Sequence, residues 1–226
     1  MKTNRTLFRK LPLIAAVFGT VLFSSCSDDD DIENGKSVNV KVVNSAEASG
    51  SQDFYIDGTK VTTVSENQAS NYIATTNSGN DRDVEFKTTG SSEVYASEDV
   101  DLKDNKNYTF ILSGTGNSAK ITATEDDLSA PASGKAKIRF VHLSTAANSN
   151  VDLGVVAGNK LASNVGYGSV TNFYQVDAGT KLLNVYTAGQ SNSNLALDFA
   201  ALDAGRIYTI ILKGSSSVSL QVISHN

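Results

Sequence analysis

Along residues 38 to 44 apolar and polar side chains alternate, with Val38, Val40 and Val42 separated by Asn39 and Lys41. The same period of two returns where Lys137 and Arg139 separate Ala136, Ile138 and Phe140. Every second residue of a pleated strand shares a face, so both segments read as half-buried strands. Further strands are predicted near 52–56, 70–75, 83–87, 94–101, 107–112 and 117–123, punctuated by Gly58, Gly79, Gly90 and Gly114. From Val38 onward no helical period is sustained. Short strands at this spacing predict a β-sandwich.

The pattern repeats. Tyr108-Thr109-Phe110-Ile111-Leu112-Ser113-Gly114 returns as Tyr208-Thr209-Ile210-Ile211-Leu212-Lys213-Gly214, at an offset of 100. Earlier anchors agree within two residues: Val42-Val43 with Phe140-Val141, Asp53-Phe54 with Asp152-Leu153, Asn71-Tyr72 with Asn172-Phe173. So long a period implies tandem domains, because solenoids repeat at about 20–50 residues. In each copy a Leu (Leu102, Leu202) sits six residues before the shared Tyr. That spacing resembles the tyrosine corner, in which the phenol bonds back to the turn before its strand. The expected fold is therefore all-β: two tandem immunoglobulin-like β-sandwiches, of about seven strands each, following a lipoprotein signal peptide. The expected boundaries are a signal peptide at 1–25, a lipidated cysteine and acidic tether at 26–35, a first sandwich at 36–128, a linker at 129–134 and a second sandwich at 135–226.

The leader is read from charge and length. Lys2, Arg5, Arg9 and Lys10 precede an apolar run from Leu11 to Phe23, 13 residues and too short to span about 30 Å of hydrocarbon. It ends in Leu22-Phe23-Ser24-Ser25-Cys26, which resembles the lipobox of bacterial lipoproteins. That resemblance implies cleavage before Cys26 and a lipid on its thiol, the only cysteine of the chain. Ser27 with Asp28, Asp29, Asp30 and Asp31 resembles the export tag that sends Bacteroidetes lipoproteins to the outer face of the outer membrane. The expected location is the outer membrane, lipid-anchored and facing the medium.

In the second copy Val141-His142-Leu143-Ser144, Val151-Asp152, Asn164-Val165-Gly166-Tyr167-Gly168-Ser169-Val170, Val176-Asp177-Ala178-Gly179-Thr180 and Leu202-Asp203-Ala204-Gly205-Arg206-Ile207-Tyr208-Thr209 follow in order. Together they look like domain-of-unknown-function family 4397, over nearly all of 136–223. In the first copy Asp53 to Val61 fits the same pattern, while Asn44 replaces the His. The resemblance implies repeated β-sandwich units in a bacterial envelope setting and no particular activity.

Composition narrows the chemistry. There is no Trp, and there are only two His and one Cys, so neither a disulfide scaffold nor a cysteine-ligated metal site is expected. Without the leader the balance is 15 basic against 24 acidic side chains, or −9, which argues against nucleic acid as a partner. Residues 36–128 carry 8 basic and 15 acidic groups, and 129–226 carry 7 and 4. The Asp-rich loops lack the ligand spacing of a calcium site, and no glycine loop cradles phosphate, so no metal and no cofactor are expected.

His142, Ser144 and Asp152 form a triad-like set. Alternation turns His142 toward the core, so the expected role is a structural clasp in which Ser144 and Asp152 satisfy its ring nitrogens. His225, next to the last residue, is expected to be mobile. Ligand contact is assigned to tyrosines: Tyr167 between two glycines first, then Tyr72, Tyr95 and Tyr174. The resulting expectation is a non-enzymatic binding or adhesion module at the cell surface, with an extracellular glycan or protein as partner. A structural or accessory subunit of an envelope complex is the alternative, a carbohydrate-binding module a further one, and an enzyme comes third.

Overall fold

The computed structural model describes residues 37–155, 160–180, 182–191, 193–198 and 201–226. The signal peptide, Cys26, Ser27, Asp28 to Asp31 and the 26–35 tether lie outside the described residues.

The alternating segments form strands where the pattern places them. The first half contains β1 (Val38–Asn44), β2 (Gln52–Ile56), β3 (Thr59–Val64), β4 (Ile73–Thr75), β5 (Gly79–Thr88), β6 (Val94–Leu102), β7 (Asn107–Ser113) and β8 (Lys120–Glu125). The second contains β9 (Lys135–His142), β10 (Val151–Val155), β11 (Lys160–Val165), β12 (Tyr174–Asp177), β13 (Leu182–Thr187), β14 (Ser193–Asp198), β15 (Ile207–Lys213) and β16 (Ser219–Ser224). Both halves are all-β sandwiches with one topology. Sheets ordered β4-β1-β7-β8 and β3-β2-β5-β6 face each other in the first, and β12-β9-β15-β16 and β11-β10-β13-β14 in the second. In each, the first and seventh strands run parallel and the other neighbours antiparallel.

This order departs from the seven-stranded division of immunoglobulin constant domains. The additional strand in the first half is β3, whose Thr59, Lys60, Thr62 and Thr63 offer little apolar alternation. Its hairpin is set by Asp57 and Gly58 at φ of 49° and 71°, the two left-handed residues of a type I′ turn. The tyrosine corners are present. The Lys103 N–H donates to the Tyr108 hydroxyl at 3.1 Å and the Asp203 N–H to the Tyr208 hydroxyl at 3.3 Å, with Leu102 and Leu202 buried beside them.

Each sandwich has its own core. In the first, Phe54 stacks between Phe86 and Phe110, with centroids 5.0 Å away on either side; in the second, Leu153, Val185 and Ile210 serve with Phe140. A third cluster, of Val43, Ile111, Val141, Leu143, Ile211 and Ile223, draws on both sandwiches. It shows that the outer faces of β4-β1-β7-β8 and β12-β9-β15-β16 pack on each other. Strands buried on both faces explain why Lys41, Lys137 and Arg139, on the polar side of the alternation, are only 5%, 5% and 1% exposed. Gly35–Asn226 accordingly forms one compact unit.

Candidate functional site

The polar half of this shared layer is built from equivalent positions of the two copies. Lys41 and Arg139 pair in register with Thr109 and Thr209 on the parallel strands. Tyr72 and Phe173 stand one residue before the start of the pairing of β4 and β12. Asp126 and His225 lie just past β8 and β16, each two residues beyond the partner of its threonine. Acid in one copy thus meets base in the other.

These groups form a closed ring. Arg139 Nη2 reaches Asp126 Oδ1 at 2.5 Å, with the two side chains 1% and 0% exposed. Arg139 Nε donates to Thr209 Oγ1 at 2.9 Å, and Nη1 donates to Thr124 Oγ1 at 3.0 Å and the Glu125 carbonyl at 3.2 Å. The Tyr72 and Thr109 hydroxyls both donate to Asp126 Oδ2 at 2.6 Å. His225 closes the circuit, 2.7 Å from Tyr72 through Nδ1 and 2.7 Å from Thr209 through Nε2. Because Tyr72 gives its one proton to Asp126, Nδ1–H must donate to the tyrosine oxygen, and in the neutral imidazole Nε2 then accepts from Thr209. Burial, reinforced by the charges of Arg139 and Lys41, pushes the His225 pKa down to about 3. Burial, then Asp126, raises the Tyr72 phenol well above its usual value. Lys41 donates to the Ser70 carbonyl at 2.8 Å, and burial lowers its pKa. Arg139 stacks over Phe173 with its Cζ 4.8 Å from the ring centroid.

His225 is thus a buried member of this ring and not a mobile end. Its place is not legible locally, because its partners come from the residue before β4, from β15 and from the segment after β8.

The proposed clasp is only partly assembled. His142 is fully buried, and its Nδ1 accepts from the Ser144 N–H at 3.4 Å, while Ser144 Oγ donates to the Gly214 carbonyl at 2.9 Å. Asp152 does not meet His142. Val151 and Leu153 face the core, so alternation turns Asp152 to the other side of its sheet. There Lys160 Nζ donates to it at 2.5 Å, the Asn164 N–H at 2.6 Å and the Gly189 N–H at 3.1 Å. Burial raises its pKa, but these bonds outweigh that and hold the carboxyl below its usual range. His142 Nε2 makes no well-formed hydrogen bond. Burial lowers the ring's pKa against a smaller opposing influence from the Ser149 backbone. In the first copy Asn44 donates to the Gly50 carbonyl and accepts from Ala46 N–H and Ser49 Oγ, so it pins the loop that follows β1.

The tyrosines divide. Tyr167 is 40% exposed, with the His142 ring edge-on 6.2 Å away and Lys120 Nζ 5.7 Å from its centroid. The hydroxyl of Tyr72 belongs to the buried ring. Tyr95 and Tyr174 are half-buried against the first and second cores, so neither stands out as a platform. Among the described residues no group of three or more His, Cys, Asp or Glu is placed to hold a metal. A polar cleft of about 460 Å³ runs along the junction between Glu125 and Asp127 on one side and Asn172 and Phe173 on the other. Asp127 there is salt-bridged to Lys137 at 2.8 Å, and that bond, with Ser129, pulls its pKa to about 2.

No curated protein matches the chain. Among solved structures it is similar to the Bacillus anthracis TIE protein at 11% identity and a TM-score of 0.25, over 78% of this chain and 34% of that one. The chain thus spans about a third of that protein's length. It is also similar to a family CBM26 module of Eubacterium rectale Amy13K, solved with maltoheptaose, at 11% identity, 81% and 95% coverage and a TM-score of 0.27. A Bacteroides uniformis protein described as a candidate cell adhesion protein matches at 12% identity, 84% and 100% coverage and a TM-score of 0.25. In sequence, a family profile described as a domain of unknown function, DUF4397, matches residues 38–153, the whole first sandwich together with β9 and most of β10. The chain belongs to the DUF4397 family.

Proposed function

We propose that this chain is a non-enzymatic binding or adhesion module, held in the outer membrane through a lipid on Cys26 and exported to the outer face by Ser27 and Asp28 to Asp31. Two or more acyl chains, at about 0.8 kcal/mol per buried methylene, make such an anchor stable. The partner is an extracellular glycan or protein.

The observation that carries the reading is the shared buried layer. A hydrophobic cluster and a closed ring of hydrogen bonds join the sandwiches, so their outer surfaces are held in fixed relation, which suits a binding platform. The groups best able to act as general bases near neutrality, His142 and His225, are buried within the scaffold. The alternative of an accessory subunit looks for a broad flat patch at the domain junction, and the face that would supply it is filled by the other copy.

Proteinase added to intact cells is expected to remove the protein, and residues 27–226 are expected to retain a ligand on a glycan array or from envelope extract. Survival alongside a digested surface marker overturns the surface placement. Hydrolysis of a polymer by the pure protein, lost on changing one carboxylate, overturns the non-enzymatic reading.

A further inference from the structure

The two copies differ most at one end of the sandwich. In the first, β6 carries a bulge between Val94 and Ala96, opposite Lys87 and Phe86, and Tyr95 is the bulged residue. Its ring packs against the first core, and its hydroxyl lies near the backbone of Gly116, in the turn between β7 and β8. Tyr95 thus closes the gap between the two sheets. The second copy keeps the bulge, between the pairings of Val185 with Leu195 and Tyr186 with Ser193, and the residue at that position is Asn194. An asparagine brings no ring.

A cavity of about 520 Å³ opens at this end of the second sandwich. Val151 and Val185 line it from one sheet, Leu212 from the other, Val218 from the β15–β16 turn, and Ala146 and Ala147 from the loop above. Asn148 and Ser149 add polar groups at the same loop. Its size falls within the range of small-ligand sites, about 300–1,000 Å³, and polar and apolar groups share its wall, which suits a ring that carries a polar handle. In the first copy larger side chains fill this place: Phe86, the counterpart of Val185, and beside it the ring of Tyr95.

We propose that the open end of the second sandwich binds a phenol ring supplied from outside the chain, in the place that Tyr95 occupies in the first. The ring lies against Val151, Val185 and Leu212, and its hydroxyl meets the polar groups of the 146–149 loop. This deepens the binding reading by naming a site and a ligand class. A free phenolic molecule and a tyrosine side chain on a partner share this chemistry.

Ligand-observed saturation-transfer NMR on residues 27–226 tests the site, with p-cresol and the tripeptide Gly-Tyr-Gly as probes and cyclohexanol as the non-aromatic control. For so small a ligand a Kd on the order of 1 mM is expected. Transfer to p-cresol that exceeds that to cyclohexanol and is lost in Ala147→Phe supports the site. Transfer to the tripeptide as well identifies a partner's tyrosine as the source, and transfer to p-cresol alone identifies a free phenol. Val218→Phe blocks the same cavity from the β15–β16 turn and replaces Ala147→Phe if that variant does not fold. Tyr95→Asn is expected to add a second site in the first sandwich and about double the transfer. No transfer, transfer equal to that of cyclohexanol, or transfer unchanged in a folded blocking variant overturns the proposal. Each of those results leaves the glycan-array and proteinase tests of the broader reading standing.

Discussion

Replacing Asp126 by Ala tests the buried ring at its single carboxylate. Asp126 accepts from Arg139 at 2.5 Å and from Tyr72 and Thr109 at 2.6 Å, with no solvent exposure at its side chain. Removing it leaves the Arg139 guanidinium, 1% exposed, without a counter-charge. Breaking one partner of a buried pair costs about 3–5 kcal/mol, mostly from the uncompensated charge that remains. Tyr72 keeps His225 as a partner and the Thr109 hydroxyl can rotate, so they add little. The expected loss is about 3–4 kcal/mol in urea unfolding of residues 27–226. The chain has no Trp, so far-ultraviolet dichroism or tyrosine fluorescence must report the transition. Combining Asp126→Leu with Arg139→Met is expected to recover most of the loss, since apolar replacement of a whole buried pair is often neutral or stabilising. A loss below about 1 kcal/mol, or a double variant no better than the single, refutes the reasoning.

Acid is expected to weaken the fold from pH 6.5 downward. The His225 pKa is about 3 when folded against 6.5 in its ordinary state, so between those values the unfolded chain binds the additional proton and stability falls as pH falls. By pH 5 that contribution reaches about 2 kcal/mol, and His225→Gln should flatten this part of the pH profile of urea unfolding. Tyr108→Phe is expected to cost about 1 kcal/mol and Tyr208→Phe less, because Tyr108 is 6% exposed and Tyr208 only half-buried; equal melting temperatures for both variants and the parent remove the corner argument. His142→Asn is expected to be neutral or stabilising in thermal unfolding, because Asn44 satisfies the equivalent position fully and His142 Nε2 makes no well-formed hydrogen bond; a loss above about 1 kcal/mol contradicts this.

What could be read from the chain depended on range. Alternation placed β1, β2, β7 and β9 closely, and the Leu-to-Tyr spacing located both tyrosine corners, because these patterns are set by neighbours in sequence. β3 was missed for lack of apolar alternation, although Asp57-Gly58 marks its hairpin. The buried roles of Lys41, Lys137 and Arg139 ran against their place on the polar side of their strands. The available signal was in β7 and β15, where Phe110-Ile111-Leu112 and Ile210-Ile211-Leu212 are apolar on both faces, as strands covered on both sides are. The pattern of β10 itself separates Asp152 from His142, because Val151 and Leu153 face the core and the residue between them faces away. His225 gave no local signal at all. Its sheet neighbour Thr209 belongs to its own copy, and only the packing of one copy on the other adds Tyr72 and Asp126.

That the two sandwiches are one rigid body is the claim on which the platform reading rests. Residual dipolar couplings measured on strand amides of residues 27–226, weakly aligned in solution, test it directly. A single alignment tensor should fit couplings from β1, β2, β7 and β9, β10, β15 together. Separate tensors of different magnitude for the two halves would contradict it.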